Sequence, residues 1–263
     1  MCRHLGYLGP PRAPAELIFD APHSLLRQSY APADMRGGGT VNADGFGLGW
    51  YDETGEPVRY RRPTPMWADE TLPTLAASVR AGAFIAAARN GTPGMPVSEG
   101  ACAPFLDGRW LFSHNGVVKG WPESVATLAG KLPVAELLTL EAPTDSALLW
   151  ALLRDRLNAG EDPLVAVTDL VAAIERAAPG SRLNLLLTDG EVMIATAWTH
   201  SLSVLAIDGS VVIASEPYNS EPGWVPVPER HAVRVEHGEY EFFEMQQSVE
   251  IQYGNEDRSA TAS

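Results

Sequence analysis

Between residues 183 and 215 the chain alternates short apolar runs with turn dipeptides, and no other stretch constrains the fold as tightly. The runs are LNLLLT (183–188), VMIATAW (192–198), SVLAI (203–207) and VVIAS (211–215), and Asp189-Gly190 and Asp208-Gly209 separate two pairs of them. An Asp-Gly pair between apolar runs is a hairpin signal, because tight hairpin turns place their central residues at positive φ. The spacing therefore predicts antiparallel hairpins and meanders. Further strands are expected at 46–51 (FGLGWY), 84–88 (FIAAA) and 110–113 (WLFS). Helical spacing runs through 72–81, 122–131, 145–158 and 164–177, with Gly82, Gly130, Gly160 and Pro179-Gly180 placed to end those segments. Strands come in batches and helices in batches, which favours an α+β fold with helices packed over antiparallel sheets.

The 263 residues, 45% hydrophobic and 20% charged, suffice for a sizeable core. With no composition shift inside, one domain over 2–250 is the simplest organisation. Residues 217–230 carry four prolines and read as a surface excursion, and 251–263 as a disordered tail. A net charge of -14 argues against a nucleic-acid backbone or an anionic membrane as partner. An anionic substrate would need a local positive group. The opening MCRHLGYLGP lacks the long apolar run of a secretory signal. Cys2 and Cys102 lie far apart, so the expectation is a cytoplasmic chain without a disulfide framework. No uninterrupted apolar window is long enough for a transmembrane helix.

Four short segments carry candidate chemistry. Removal of Met1 would leave Cys2 with a thiol and a free α-amine, whose reference pKa of about 7.7–8.0 suits a general base. A nucleophile paired with its own amine is an established arrangement, although free cysteine is more commonly a small buried hydrophobe. Cys2 and His4 lack the further ligands a metal would need. In SHNG (113–116), Asn115-Gly116 reads either as a turn or as an oxyanion hole built from a side-chain amide and a backbone N–H. In RNGTPG (89–94), Arg89 is either a solvated residue past a strand or a clamp for a substrate carboxylate, with Thr92 adding a contact. In APTDSALL (142–149), Asp145 either belongs to a helix cap or faces a substrate ammonium. Trp50, Tyr51, Trp67 and Trp224 are candidate faces for a cationic ligand group, and Cys102 reads as structural.

The combination of Cys2, R-x-x-T-x-G, H-N-G and T-D-S before a helix resembles the class II glutamine amidotransferases, with NADGFGLGWY (42–51), ACAPF (101–105) and ASEPY (214–218) extending the likeness over nearly the whole chain. That resemblance implies an N-terminal-nucleophile hydrolase with a four-layer αββα sandwich of two antiparallel sheets covered by helices. It implies Cys2 as nucleophile, its amine as base, and Asn115 and Gly116 as oxyanion hole. Arg89 and Asp145 would hold a γ-glutamyl α-carboxylate and α-ammonium, with Thr92 nearby, and neither metal nor organic cofactor is implied. Within the family, QSYAP (28–32), GMPVSEGACAPF (94–105) and SHNGVV (113–118) are most similar to the branch that cleaves a γ-glutamyl amide in ergothioneine biosynthesis. Pro93 stands where many glutamine-using members carry histidine, and Arg36 is not a secure counterpart of a second carboxylate-binding arginine, which weakens the expectation of free glutamine as substrate. The length leaves no room for an ammonia-accepting module, so either a subunit of a complex or a stand-alone amidohydrolase is expected, and the resemblance favours the second. A glutaminase subunit, a hydrolase of another γ-glutamyl amide and a binding module with a structural Cys2 remain the alternatives.

Overall fold

The computed structural model describes residues 2–35 and 41–245. Arg36 and the tail expected at 251–263 lie outside the described residues. The chain runs through β1 (Arg3–Arg12), α1 (Leu25–Tyr30), β2 (Phe46–Tyr51), β3 (Pro57–Arg62), α2 (Leu72–Ser78), β4 (Ala81–Ala88), β5 (Phe105–Asp107) and β6 (Trp110–Val117). It continues through α3 (Ala126–Ala129), α4 (Val134–Leu138), α5 (Asp145–Asn158), α6 (Pro163–Ala177), β7 (Arg182–Thr188), β8 (Val192–Ala197), β9 (Ser203–Ile207) and β10 (Ser210–Ala214). Strands β11 (Val225–Pro226), β12 (His231–Glu236) and β13 (Glu239–Glu244) complete it.

One sheet has seven strands in the order β11-β9-β10-β1-β4-β2-β3, and the other has six in the order β13-β12-β8-β7-β6-β5. The pairs are antiparallel, as the Asp-Gly turns predict. Three apolar clusters mark three interfaces and hence four layers. Leu5, Tyr7, Phe84 and Val212 of the first sheet meet Leu17, Leu25 and Leu72 of the helical segments outside it. Leu183, Leu185, Leu187 and Phe112 of the second sheet meet α5 and α6 through Leu149, Leu153, Leu170 and Ile174. Leu8, Ile85, Leu111, Leu186, Met193 and Ile213 fill the space between the sheets.

Period-two alternation accounts for this division. On β7 the odd residues face helices and Leu186 faces the other sheet. Both faces are buried, so LNLLLT reads as a nearly continuous apolar run. On β1 the same alternation sends Leu5 and Tyr7 outward and Gly6 inward. A Cβ at Gly6 would stand 2.5 Å from Met193 Sδ and 3.2 Å from Leu186 Cδ1. The glycine is what lets the two sheets approach there.

The seven strands expected from sequence are all present, most of them within a residue or two of their expected ends. The helix expected at 72–81 is corrected: it ends at Ser78, and Ala81 instead pairs with Arg12 as the first residue of β4. Val79 has already turned extended at φ -72° and ψ 141°, while its N–H still closes the helix on Leu75 O. The segment 122–131 is only a 3₁₀ turn and the four-residue α3. The excursion at 217–230 is not wholly superficial, because Tyr218 and Val227 are buried. Among the described residues no helix is long and apolar enough to cross a membrane.

Leu186 is fully buried between the sheets. Leu186→Ala should lower unfolding free energy by about 2–5 kcal/mol in a urea titration, because the rigid sheets cannot close the cavity. A loss below about 1 kcal/mol would contradict the close-packed inter-sheet layer.

Candidate active site

The antiparallel register of β1 and β4 places Arg3 opposite Ala88. One step further along that edge, Cys2 and Arg89 come together. Both line a small cavity of about 30 Å³, with Phe46, Phe105, His114 and Ser146 around them. Cys2 is partly exposed, and its Sγ lies 3.7 Å from Asn90 O. Arg89 is 8% exposed and is strapped from the NADG segment. Its N–H donates to Gly45 O at 2.7 Å, its guanidinium to Asp44 O at 3.3 Å, and Asp44 N–H donates to Arg89 O at 3.0 Å. The Asp44 carboxylate accepts from Gly91 N–H at 2.8 Å, so it shapes the loop after Arg89.

The second sheet supplies Asn115 and Gly116. On β7 the Leu183 and Leu185 N–H groups point to Trp198 O (3.1 Å) and Thr196 Oγ1 (2.9 Å), on the β8 side. Alternation then directs the backbone groups of Asn184 at its partner on β6, Asn115. Gly116, one residue on, turns its N–H to the opposite edge, beyond the reach of β5, which pairs only with residues 110–112. Asn115-Gly116 is thus strand rather than turn. The absence of a side chain at 116 is enforced: a Cβ would lie 1.8 Å from Arg182 O and 2.5 Å from His114 Nε2.

Asn115 is 2% exposed and its Nδ2 donates to Ser215 Oγ at 3.2 Å. That hydroxyl also accepts from His4 N–H at 3.0 Å and donates to His4 O at 3.2 Å, so one serine links the two sheets. His4 Nδ1 lies 3.2 Å from Ser113 Oγ, a second link. An amide nitrogen carries two hydrogens, so Nδ2 retains one beyond its bond to Ser215.

Thr144 is the helix cap of α5, accepting from Ala147 N–H at 3.2 Å. Asp145 does other work. Its Oδ2 accepts from Val118 N–H at 2.9 Å and its Oδ1 from Ser146 N–H at 2.7 Å, which ties α5 to the end of β6 beside Gly116. Oδ1 also lies 3.3 Å from Ser146 Oγ, while Oδ2 keeps a second lone pair. Thr92 is not brought to the small cavity. It lines a neighbouring cleft of about 670 Å³ with Pro93, Val117, Lys119, Trp121 and Arg182. Strand β6 connects the two, passing His114 in the cavity and Val117 in the cleft.

Trp50, Tyr51, Trp67 and Trp224 line neither space; Tyr51 donates its hydroxyl hydrogen bond to Arg109 O or Thr188 O at the far end of the sandwich. Cys102 is buried, with Sγ 3.4 Å from Ser98 O and 3.5 Å from Arg62 O, and burial pushes its thiol up to about 11. Sequence reasoning missed His4, Asp44, Ser113, His114, Ser146 and Ser215 as site residues. All six lay inside quoted motifs, but only the folded arrangement reveals what they touch. Among the described residues no group of three or more His, Cys, Asp or Glu side chains is arranged to hold a metal ion.

Two facing antiparallel sheets between helical layers, with Cys2 just ahead of the central strand and Arg89 beside it, have the layout of the N-terminal-nucleophile hydrolase fold. The chain belongs to the class II glutamine amidotransferases, whose family model matches residues 17–208. It is 42% identical over 235 residues, 89% of this chain and 96% of the relative, to the γ-glutamyl-hercynylcysteine sulfoxide hydrolase of Mycolicibacterium smegmatis. The enzyme of that name from Mycobacterium tuberculosis (strain H37Rv) is 41% identical over 89% of this chain and 93% of its own. Among solved structures, a glutamine aminotransferase class-II domain protein from Silicibacter pomeroyi superposes with TM-score 0.66 at 23% identity, covering 93% of this chain and all of that one. Glutamine phosphoribosylpyrophosphate amidotransferase from B. subtilis superposes with TM-score 0.64 at 15% identity, covering 94% of this chain and 50% of that one. These two share the fold.

The buried imidazoles give the site a pH signature. Burial, followed by His114, His200 and Arg3, lowers the His4 pKa from 6.5 to about 3. Burial, followed by Arg182 and Arg3, does the same to His200. The unfolded chain takes up these protons near pH 6.5 and the folded chain does not until about pH 3. Stability is therefore fully present above pH 6.5 and declines as pH falls through that window, by at most about 1.4 kcal/mol per pH unit for each histidine. Urea unfolding between about pH 6.5 and 4.5 should show this fall, and a flat profile would contradict neutral buried imidazoles.

Proposed function

We propose that the chain hydrolyses the γ-glutamyl amide of γ-glutamyl-hercynylcysteine S-oxide to glutamate and hercynylcysteine S-oxide. The observation that carries the chemistry is the shared cavity of Cys2 and Arg89, with Asn115-Gly116 on the facing sheet. The identity to the mycobacterial hydrolases over nearly their whole length supports the substrate.

In this reading Met1 is excised and the α-amine of Cys2 takes the thiol proton. The thiolate attacks the γ-carbonyl, whose oxygen takes up negative charge between Asn115 Nδ2 and Gly116 N–H. The protonated amine passes its proton to the leaving nitrogen as the C–N bond breaks. The same amine then deprotonates a water that cleaves the thioester, releasing glutamate and regenerating the thiol. Arg89 pairs with the substrate α-carboxylate and supplies local positive charge in a chain of net charge -14. Asp145 faces the α-ammonium, and Thr92 contributes from the adjoining cleft. The chemistry needs no cofactor, and the substrate is a small molecule met in the cytoplasm.

Glutamate release measured side by side with γ-glutamyl-hercynylcysteine S-oxide and with free glutamine tests the proposal. Turnover of the first is expected, and turnover of glutamine alone would overturn it in favour of a glutaminase subunit. Cys2→Ala should abolish release. Asn115→Ala should lower kcat by about 10²–10³ with little change in KM, the cost of one oxyanion donor. An Asn115→Ala variant with wild-type kcat would remove this residue from the mechanism.

A further inference from the structure

A nucleophile at the first residue of a mature chain is hard to hold still. No preceding residue anchors it, terminal residues fray, and its amine must stay unencumbered to serve as base. The one main-chain handle left is the Cys2 carbonyl, and a side chain takes it. Arg3 NH1 donates to Cys2 O at 3.0 Å. The other arm of the guanidinium, NH2, pairs with Glu216 Oε1 at 2.9 Å and donates to Asp34 O. Both ionised side chains are only 4% exposed.

Glu216 is itself fixed from three further directions. Its Oε2 pairs with His23 Nε2 at 2.6 Å and accepts from Ala33 N–H at 2.8 Å, and its Oε1 accepts from Asp34 N–H at 3.2 Å. The carboxylate thus binds the segment after β10, the end of α1's neighbourhood and the chain start into one junction. Along β1, side chains alternate, so Arg3 lies on the face opposite His4, and its side chain is not among those lining the Cys2–Arg89 cavity. Its recorded contact with Cys2 is to the backbone carbonyl.

We propose that Arg3, locked by Glu216, is the positioning residue that holds the Cys2 main chain so that thiol and amine face the Arg89 cavity. The inference rests on the reading of Cys2 as the mature N-terminal nucleophile. It needs arginine specifically, because the planar fork places one nitrogen on the Cys2 carbonyl and another on the carboxylate. A lysine at the same position keeps a positive charge opposite Glu216 but presents a single nitrogen and loses the fork. Misplacing a reacting group by about 1 Å can cost on the order of 10²-fold in rate.

The test compares wild type, Arg3→Lys and Cys2→Ala for intact mass, thermal melting, glutamate release from γ-glutamyl-hercynylcysteine S-oxide and alkylation of Cys2 by iodoacetamide. A folded Arg3→Lys with Met1 removed should lose about tenfold or more in kcat, keep KM within about threefold, and alkylate Cys2 more slowly. A folded Arg3→Lys with wild-type kcat and alkylation rate would overturn the proposal and reduce Arg3 to a counter-ion for Glu216. Should Arg3→Lys fail to fold, the charge-neutral pair Arg3→Gln with Glu216→Gln, which leaves no unpaired buried charge, is read by the same criteria. Turnover by Cys2→Ala would instead sink the underlying reading of the nucleophile, an outcome separate from either result at Arg3.

Discussion

One serine hydroxyl spans the two sheets, and the site is assembled around it. Ser215 Oγ uses its hydrogen on His4 O and both lone pairs on His4 N–H and Asn115 Nδ2, so its hydrogen-bonding capacity is filled. His4 belongs to the central strand of the first sheet, and Asn115 to β6 of the second. A buried polar link of this kind is costly when incomplete and specific when complete. It fixes the strand that follows Cys2 against the strand that carries Asn115 and Gly116. The apolar inter-sheet layer around Leu186, Met193 and Ile213 provides adhesion without registry.

The same division between adhesion and registry governs what was legible in the sequence. Strands buried on both faces announce themselves as apolar runs, and those from 183 to 215 were read nearly to the residue. Helices α5 and α6 were equally plain, since each combines helical spacing with a stop at Gly160 or Pro179-Gly180. The central strand β1 was not read as a strand. Its Gly6 and Gly9 serve close contacts, and its two prolines fall where the register with β4 shifts between Leu8 and Arg12. Outer strands such as β13, with alternating charge in EYEFFE, also passed unread because their exposed face is polar.

The candidate site was legible as residue types in order, because amide hydrolysis through an N-terminal nucleophile needs few groups. Cys2 and Arg89 share one cavity, Asn115 joins the nucleophile's strand through Ser215, and Asp145 ties α5 to the chain just past β6. Their supports were not legible. Asp44 acts through the backbone of the loop after Arg89, Ser215 acts across the sandwich, and Glu216 acts through Arg3. Each lies tens of residues or more from what it holds, and only the sheet order brings them together. Asp145 shows the limit of local reasoning: its position suggested a cap, while the cap is Thr144 and the Asp145 carboxylate reaches Val118, just past the end of β6.

The central claim is that Cys2, freed of Met1, forms a γ-glutamyl thioester. The most direct measurement is intact mass of protein mixed with the γ-glutamyl substrate and quenched in acid, followed by peptide mapping of the adduct. The account predicts a chain lacking Met1 that carries a γ-glutamyl group on Cys2. Glutamate release by a chain that retains Met1, or a γ-glutamyl group mapped to Cys102 or any other residue, would contradict it.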